Sequence, residues 1–154
     1  MPRYRVPQQV VLDTNVLVAA LRSRRGDSFA LLERLAAPAP GYELHVSVPL
    51  VFEYEEVLTR QAPALSIAPD VVDAVLDFVC RVAHHRKVFN LWRPALRDPG
   101  DDMVLELAVA AGADYVVTFN ARNFAGAERY GVRVIAPRDL LRRLENSEGE
   151  EGKP

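Results

Sequence analysis

Four places in the chain carry oxygen-donor side chains just where a short apolar run ends or a helix begins. They are Asp13-Thr14-Asn15 after QVVL, Glu53 in PLVFEYEEVLTR, Asp101 in RDPGDDMVLELAVAAG, and Thr118-Phe119-Asn120 after YVV. Each has an ordinary explanation. Asp, Thr and Asn are good helix N-caps, Glu53 can decorate a surface helix, and Asn120 can close an Asx turn at a strand exit. Helical projection at about 100° per residue sharpens two of the four. Glu53 falls roughly 90° from the centre of the stripe Leu50, Val51, Tyr54, Val57 and Leu58, whereas Glu56 faces water about 150° away. Glu55 borders the opposite flank and is the weaker candidate. Asp101 aligns with Val104, Leu105 and Ala108, while Asp102 pairs with Glu106 on the polar side. Free backbone N–H groups stabilise an acid at a helix N-terminus. Several carboxylates converging on one place nevertheless repel unless a cation joins them. With no cysteine or histidine cluster, Asp13, Glu53 and Asp101 make a hard-oxygen set suited to Mg²⁺ or Mn²⁺, not to zinc. Phosphoryl chemistry is the usual work of such an ion, which lowers the pKa of a bound water and offsets charge on a phosphodiester under attack.

These residues need a frame, and the chain supplies one in which short β-type runs alternate with helical runs. Strands are predicted at Gln9 to Leu12, Leu44 to Val48, Val88 to Leu91, Tyr115 to Thr118 and Val132 to Ile135. Helices are predicted over Thr14 to Leu21, Ser28 to Ala36, a segment with Pro49 in its first turn running to about Gln61, Asp70 to Ala83, Asp101 to Ala111 (closed by Gly112) and Asp139 to Leu144. Such alternation argues for βαβ units and a parallel sheet covered on both faces. Ligands of these sheets bind beyond the carboxyl ends of the strands, where Asp13 and Thr118 fall.

The bulk properties are compatible with this frame. A chain of 154 residues has the size of one domain and buries about two thirds of its unfolded surface. Residues 1–145 read as that domain and 146–154 (NSEGEEGKP) as a disordered acidic tail. Without the tail there are 18 basic and 18 acidic residues, so the body is neutral and does not advertise nucleic-acid binding, although a local basic rim remains compatible with it. No window approaches the roughly 18 apolar residues of a membrane span, and MPRYRVPQQ lacks the features of a signal peptide. Cys80 has no partner for an internal disulfide and reads as a small apolar helix residue. These features point to the cytoplasm.

Taken together and in order, VVLDTNVLVAAL, SVPLVFEYEEVL, RDPGDDMVLELAVAAGADYVVTFNARNF and VIAPRDLL resemble the PIN domain, in particular the VapC-like toxins of toxin–antitoxin systems. The resemblance covers most of the chain and implies a three-layer α/β/α fold with a central, mostly parallel sheet of about five strands. It implies that Asp13, Glu53 and Asp101 are the catalytic, metal-binding acids, with Mg²⁺ or Mn²⁺ as the cofactor. An RNA substrate, an antitoxin partner and a homodimer follow from the same likeness. Thr14, Asn15, Thr118 and Asn120 are then expected to orient the carboxylates through hydrogen bonds. One departure stands out: many PIN domains carry a fourth acid where this chain has Asn120, and Asn123 occupies a place that is often Asp. The site is less negative by at least one charge.

Other residues weigh less. Arg22, Arg24 and Arg25 form a basic stretch that could reach RNA phosphates, or simply a solvated loop. His84, His85, Arg86 and Lys87 read as a helix end favoured by the dipole. Trp92, Tyr42 and Phe89 read as packing residues before base-stacking ones. A phosphohydrolase working through an aspartyl-phosphate at Asp13 is disfavoured, because position 15 is Asn and the only lysines are Lys87 and Lys153. A catalytically weakened PIN fold that binds RNA or protein without cutting is the other alternative.

Overall fold

The computed structural model describes residues 6–88 and 99–151. Its centre is a five-stranded parallel sheet in the order β3-β2-β1-β4-β5, made of β1 (Gln8–Leu12), β2 (Tyr42–Val46), β3 (His84–His85), β4 (Tyr115–Val117) and β5 (Arg133–Ile135). Val10, Val11 and Leu12 of the middle strand are fully buried, as expected for β-branched and aliphatic residues in a sheet covered on both faces. Register is fixed by Val11 opposite Val116 and Val10 opposite Leu44.

Among the described residues six α-helices cover the sheet: α1 (Thr14–Arg22), α2 (Asp27–Arg34), α3 (Val48–Gln61), α4 (Pro69–Val82), α5 (Pro99–Ala111) and α6 (Pro137–Glu151). The three-layer α/β/α arrangement with a parallel sheet is the one the sequence predicts. Helix α3 starts at once after β2, with Ser47 as its N-cap and Pro49 in its first turn. Its Leu50, Tyr54 and Leu58 are buried and Val51 and Val57 half-buried, as the helical projection required. Helix α5 ends in a Schellman turn: Ala113 N–H donates to the Ala108 carbonyl at 2.8 Å and Gly112 N–H to that of Val109 at 3.2 Å. Gly112, at φ +63°, tolerates this left-handed step because it lacks a Cβ. The chain enters β4 directly afterwards, so α5 runs antiparallel to the strands and its first turn lies towards their carboxyl edge.

Three expectations need correction. Among the described residues the third strand lies at His84–His85, beside His45 and Val46 of β2, and not at Val88, where the predicted run Val88 to Leu91 begins. Val88 is irregular, and residues 89–91 lie outside the described residues, as do Trp92 and Phe89. His84 and His85 therefore do not close a helix; α4 stops at Val82, where Ala83 turns extended. The last helix does not end near Leu144 but continues to Glu151, into the segment predicted as a disordered tail, and Glu148 ion-pairs with Arg34. Tyr42 is fully buried and donates its hydroxyl to the Leu31 carbonyl, so it offers no face to a base. No helix among the described residues is long and apolar enough to cross a membrane.

Candidate functional site

Asp13 stands where β1 stops and α1 starts. Its extended backbone (φ −67°, ψ 150°) makes it the N-cap, and its N–H donates to the Val117 carbonyl of β4 at 2.9 Å. Asp13 is only 7% exposed. Oδ1 accepts the Thr14 N–H at 2.8 Å and Oδ2 accepts the Thr118 hydroxyl at 2.7 Å. The capping and site readings of Asp13 are thus compatible, because two carboxylate oxygens carry about four lone-pair positions.

Thr118 Oγ1 is a junction. It gives its one proton to Asp13 while accepting Asn15 Nδ2 at 3.3 Å and the Asn120 N–H at 3.0 Å. One proton and two lone pairs are all a hydroxyl has, so this one is fully committed and its proton points at Asp13. Asn15 also accepts the Phe119 N–H at 3.4 Å. Thr14 reaches the other way, its hydroxyl donating to Glu53 Oε2 at 2.7 Å. Three of the four predicted orienting residues therefore act through their side chains. Asn120 takes part through its backbone N–H, and its side chain is exposed.

Glu53 is half-buried on α3, next to Tyr54, whose hydroxyl donates to the Leu12 carbonyl and ties α3 to β1. Burial pushes the Tyr54 hydroxyl well above its usual pKa, and the negative charges of Asp13 and Glu53 push it further. Glu55 and Glu56 point to water.

Asp101 lies half-buried in the first turn of α5, a helix packed against β1, β2, β4 and α3. Contrary to the helical projection, Asp102 is the more buried of the pair, at 5% exposure. Its neighbour Glu106 is half-buried, and its carboxyl is raised first by burial and then by the charge of Asp102. A wheel assumes one wet side, whereas α5 is covered on several. The projection paired Asp102 with Glu106 but set both on the wet side, and their burial is what it missed.

Among the described residues, no three His, Cys, Asp or Glu side chains gather closely enough to hold a metal ion. The structure brings Asp13 and Glu53 together and sets Asp101 on a helix that packs against both of their elements. The donor chemistry suits a hard divalent cation, since every candidate donor is a carboxylate oxygen. Cys80 does not compete: its thiol is raised by burial and by Asp77, away from the thiolate a soft metal needs. Arg22, Arg24 and Arg25 are exposed, and α1 carries them about 13 Å along the helix from Asp13.

A parallel α/β domain with carboxylates at the carboxyl edge of its central strand is a suitable scaffold for phosphodiester hydrolysis. The PIN domain family matches residues 9–122, a span that includes Asp13, Glu53, Asp101 and Thr118, and the chain belongs to that family. PIN domains are typically nucleases that use divalent metal ions. No curated protein matches the chain significantly.

Proposed function

We propose that this protein is a Mg²⁺- or Mn²⁺-dependent endoribonuclease, the toxin of a toxin–antitoxin pair, in which Asp13, Glu53 and Asp101 hold the ion. The observation that carries the reading is the linkage at the sheet edge: Thr118 holds Asp13 and Thr14 holds Glu53, so both acids are positioned by hydroxyl donors. An ion bound there would lower the pKa of a water and neutralise charge on the phosphodiester. The chain's own task is then to keep the two acids oriented and partly shielded from solvent. Attack in line at phosphorus leaves 5′-phosphate and 3′-hydroxyl ends.

The partner part of the proposal, an antitoxin covering the acid site and a homodimer, rests on the resemblance to such toxins. An apolar trough of about 400 Å³ adds support for a protein partner. Phe29, Leu32, Val75 and Phe78 line it between α2 and α4, and Glu33 and Asp70 edge it, which complements a partner segment mixing apolar and basic side chains. A second reading is a weakened PIN fold that binds without cutting, favoured by the exposed, neutral Asn120 where many relatives carry an acid.

End-group mapping of cleaved RNA tests the mechanism. The proposal expects 5′-phosphates on every new fragment. Cyclic 2′,3′-phosphates would overturn it, and Mn²⁺ binding without any cleavage would favour the second reading.

A further inference from the structure

Two exposed aromatic residues adjoin in the chain the residues of the acid pair and its donors. Phe119 directly follows Thr118 at the carboxyl end of β4 and is 54% exposed. Its N–H is held by Asn15, and the next N–H by Thr118, so the backbone presenting this ring is tied to the residues that orient Asp13. Phe52 directly precedes Glu53 on α3 and is 66% exposed. The strands β2, which leads into α3, and β4 are the two neighbours of β1. At about 4.8 Å between adjacent strands, their carboxyl ends lie roughly 10 Å apart, one on each side of Asp13. A phenylalanine left mostly in water forgoes its burial energy, and here two do so, one next to Thr118 and one next to Glu53.

The electrostatics make such rings useful. The acid pair repels a phosphate backbone, the body of the chain is neutral, and the Arg22–Arg25 stretch lies a helix length away. A contribution to nucleic-acid affinity that does not depend on charge is therefore useful at this site. Stacking of bases on aromatic rings is independent of the phosphates and tolerates any base.

We infer that Phe52 and Phe119 are stacking platforms for unpaired bases of single-stranded RNA on either side of the phosphodiester presented to Asp13 and Glu53. This rests on the nuclease reading above. Paired bases have their faces covered by neighbours, so these rings select single strands and loops over duplex. Because stacking and not phosphate contact supplies the affinity, binding falls only gently with rising salt.

The test measures binding of labelled single-stranded RNA to the full chain by fluorescence anisotropy in EDTA, where no cleavage intrudes. Mn²⁺-dependent cleavage is followed in parallel. Phe52→Ala and Phe119→Ala are each expected to weaken binding about tenfold and to raise KM with little change in kcat. Phe→Tyr at either position should keep the wild-type affinity, and Phe→Leu should not restore it. If the wild type cleaves RNA while the Ala and Leu variants bind as tightly as it does, the stacking inference fails and the nuclease reading stands. A wild type that neither binds nor cleaves overturns both. If Phe52→Ala instead converts a dimer to a monomer with RNA affinity unchanged, the rings belong to a self-association face and the inference is wrong.

Discussion

The Thr118 hydroxyl donates to Asp13 Oδ2 at 2.7 Å across 105 residues of chain, and it accepts from Asn15 Nδ2 and the Asn120 N–H at the same time. Thr118→Val keeps the shape and deletes all three bonds. It leaves a buried carboxylate short of a donor and two donors without an acceptor, which costs about 1–3 kcal/mol of stability. Loss of an orienting partner also lowers divalent-ion affinity or activity about 10- to 100-fold. Urea unfolding and calorimetric Mn²⁺ titration check the two effects, and Thr118→Ser should recover most of both. A Val variant that binds Mn²⁺ like the wild type would mean that the hydroxyl does not position Asp13 for the ion.

His45 gives a pH dependence with a definite sign. It is 1% exposed; Arg86 Nε donates to its Nδ1 at 3.3 Å, so Nε2 carries the proton and donates to Gln9 Oε1 at 2.6 Å. Burial lowers its pKa, the charges of Arg86 and His84 lower it further, and Glu43 opposes them only in part. The folded state thus holds fewer protons than the unfolded one just below the ordinary histidine pKa, and stability rises with pH across that window. The full stability is present above about pH 6.5 and is lost as pH falls towards the depressed folded-state value. Thermal unfolding between pH 5 and 8 should show the slope in the wild type and a flatter profile in His45→Gln. An equal slope in both would rule out His45 as its source.

Much of this was legible from the sequence, and what was missed has physical causes. The β1, β2, β4 and β5 strands and all six helices announce themselves because each carries a strong local pattern. The edge strand at His84–His85 does not, because histidine has little β-preference of its own. Its pairing comes from lying beside β2, where His84 Nε2 meets Glu43 at 2.8 Å. Helix α6 runs through Asn-Ser-Glu-Gly, a segment with weak helical preference, because α2 packs on α6 and Arg34 pairs with Glu148. Thr14, Asn15 and Thr118 could be suspected from their places beside Asp13. Their partners could not, since 39 residues separate Thr14 from Glu53 and 103 separate Asn15 from Thr118. The helical projection puts Tyr54 on the buried stripe and leaves Phe52 off it, as found, but gives no reason for an exposed ring there.

The Asp102–Glu106 pair predicts a stabilising substitution. Burial and the Asp102 charge raise the Glu106 carboxyl, so its ionised form is disfavoured in the folded state. Stability is then lost as pH rises through the ordinary glutamate range towards the raised value. Glu106→Gln should raise the melting temperature at pH 7 and leave it nearly unchanged below pH 4, where the wild-type carboxyl is protonated as well. A variant that melts lower at pH 7 would show that the Glu106 charge has a favourable partner instead.

The central claim is that Asp13 and Asp101 belong to one metal-dependent nuclease site. Cleavage of a labelled RNA containing single-stranded loops, with Mn²⁺, Mg²⁺ or EDTA, tests it most directly when wild type is run beside Asp13→Asn and Asp101→Asn. The account predicts cleavage by the wild type with either ion, none in EDTA, and a loss of at least about 100-fold in both variants, equivalent to roughly 3 kcal/mol of transition-state stabilisation. Equal, metal-independent cleavage by all three proteins would contradict it.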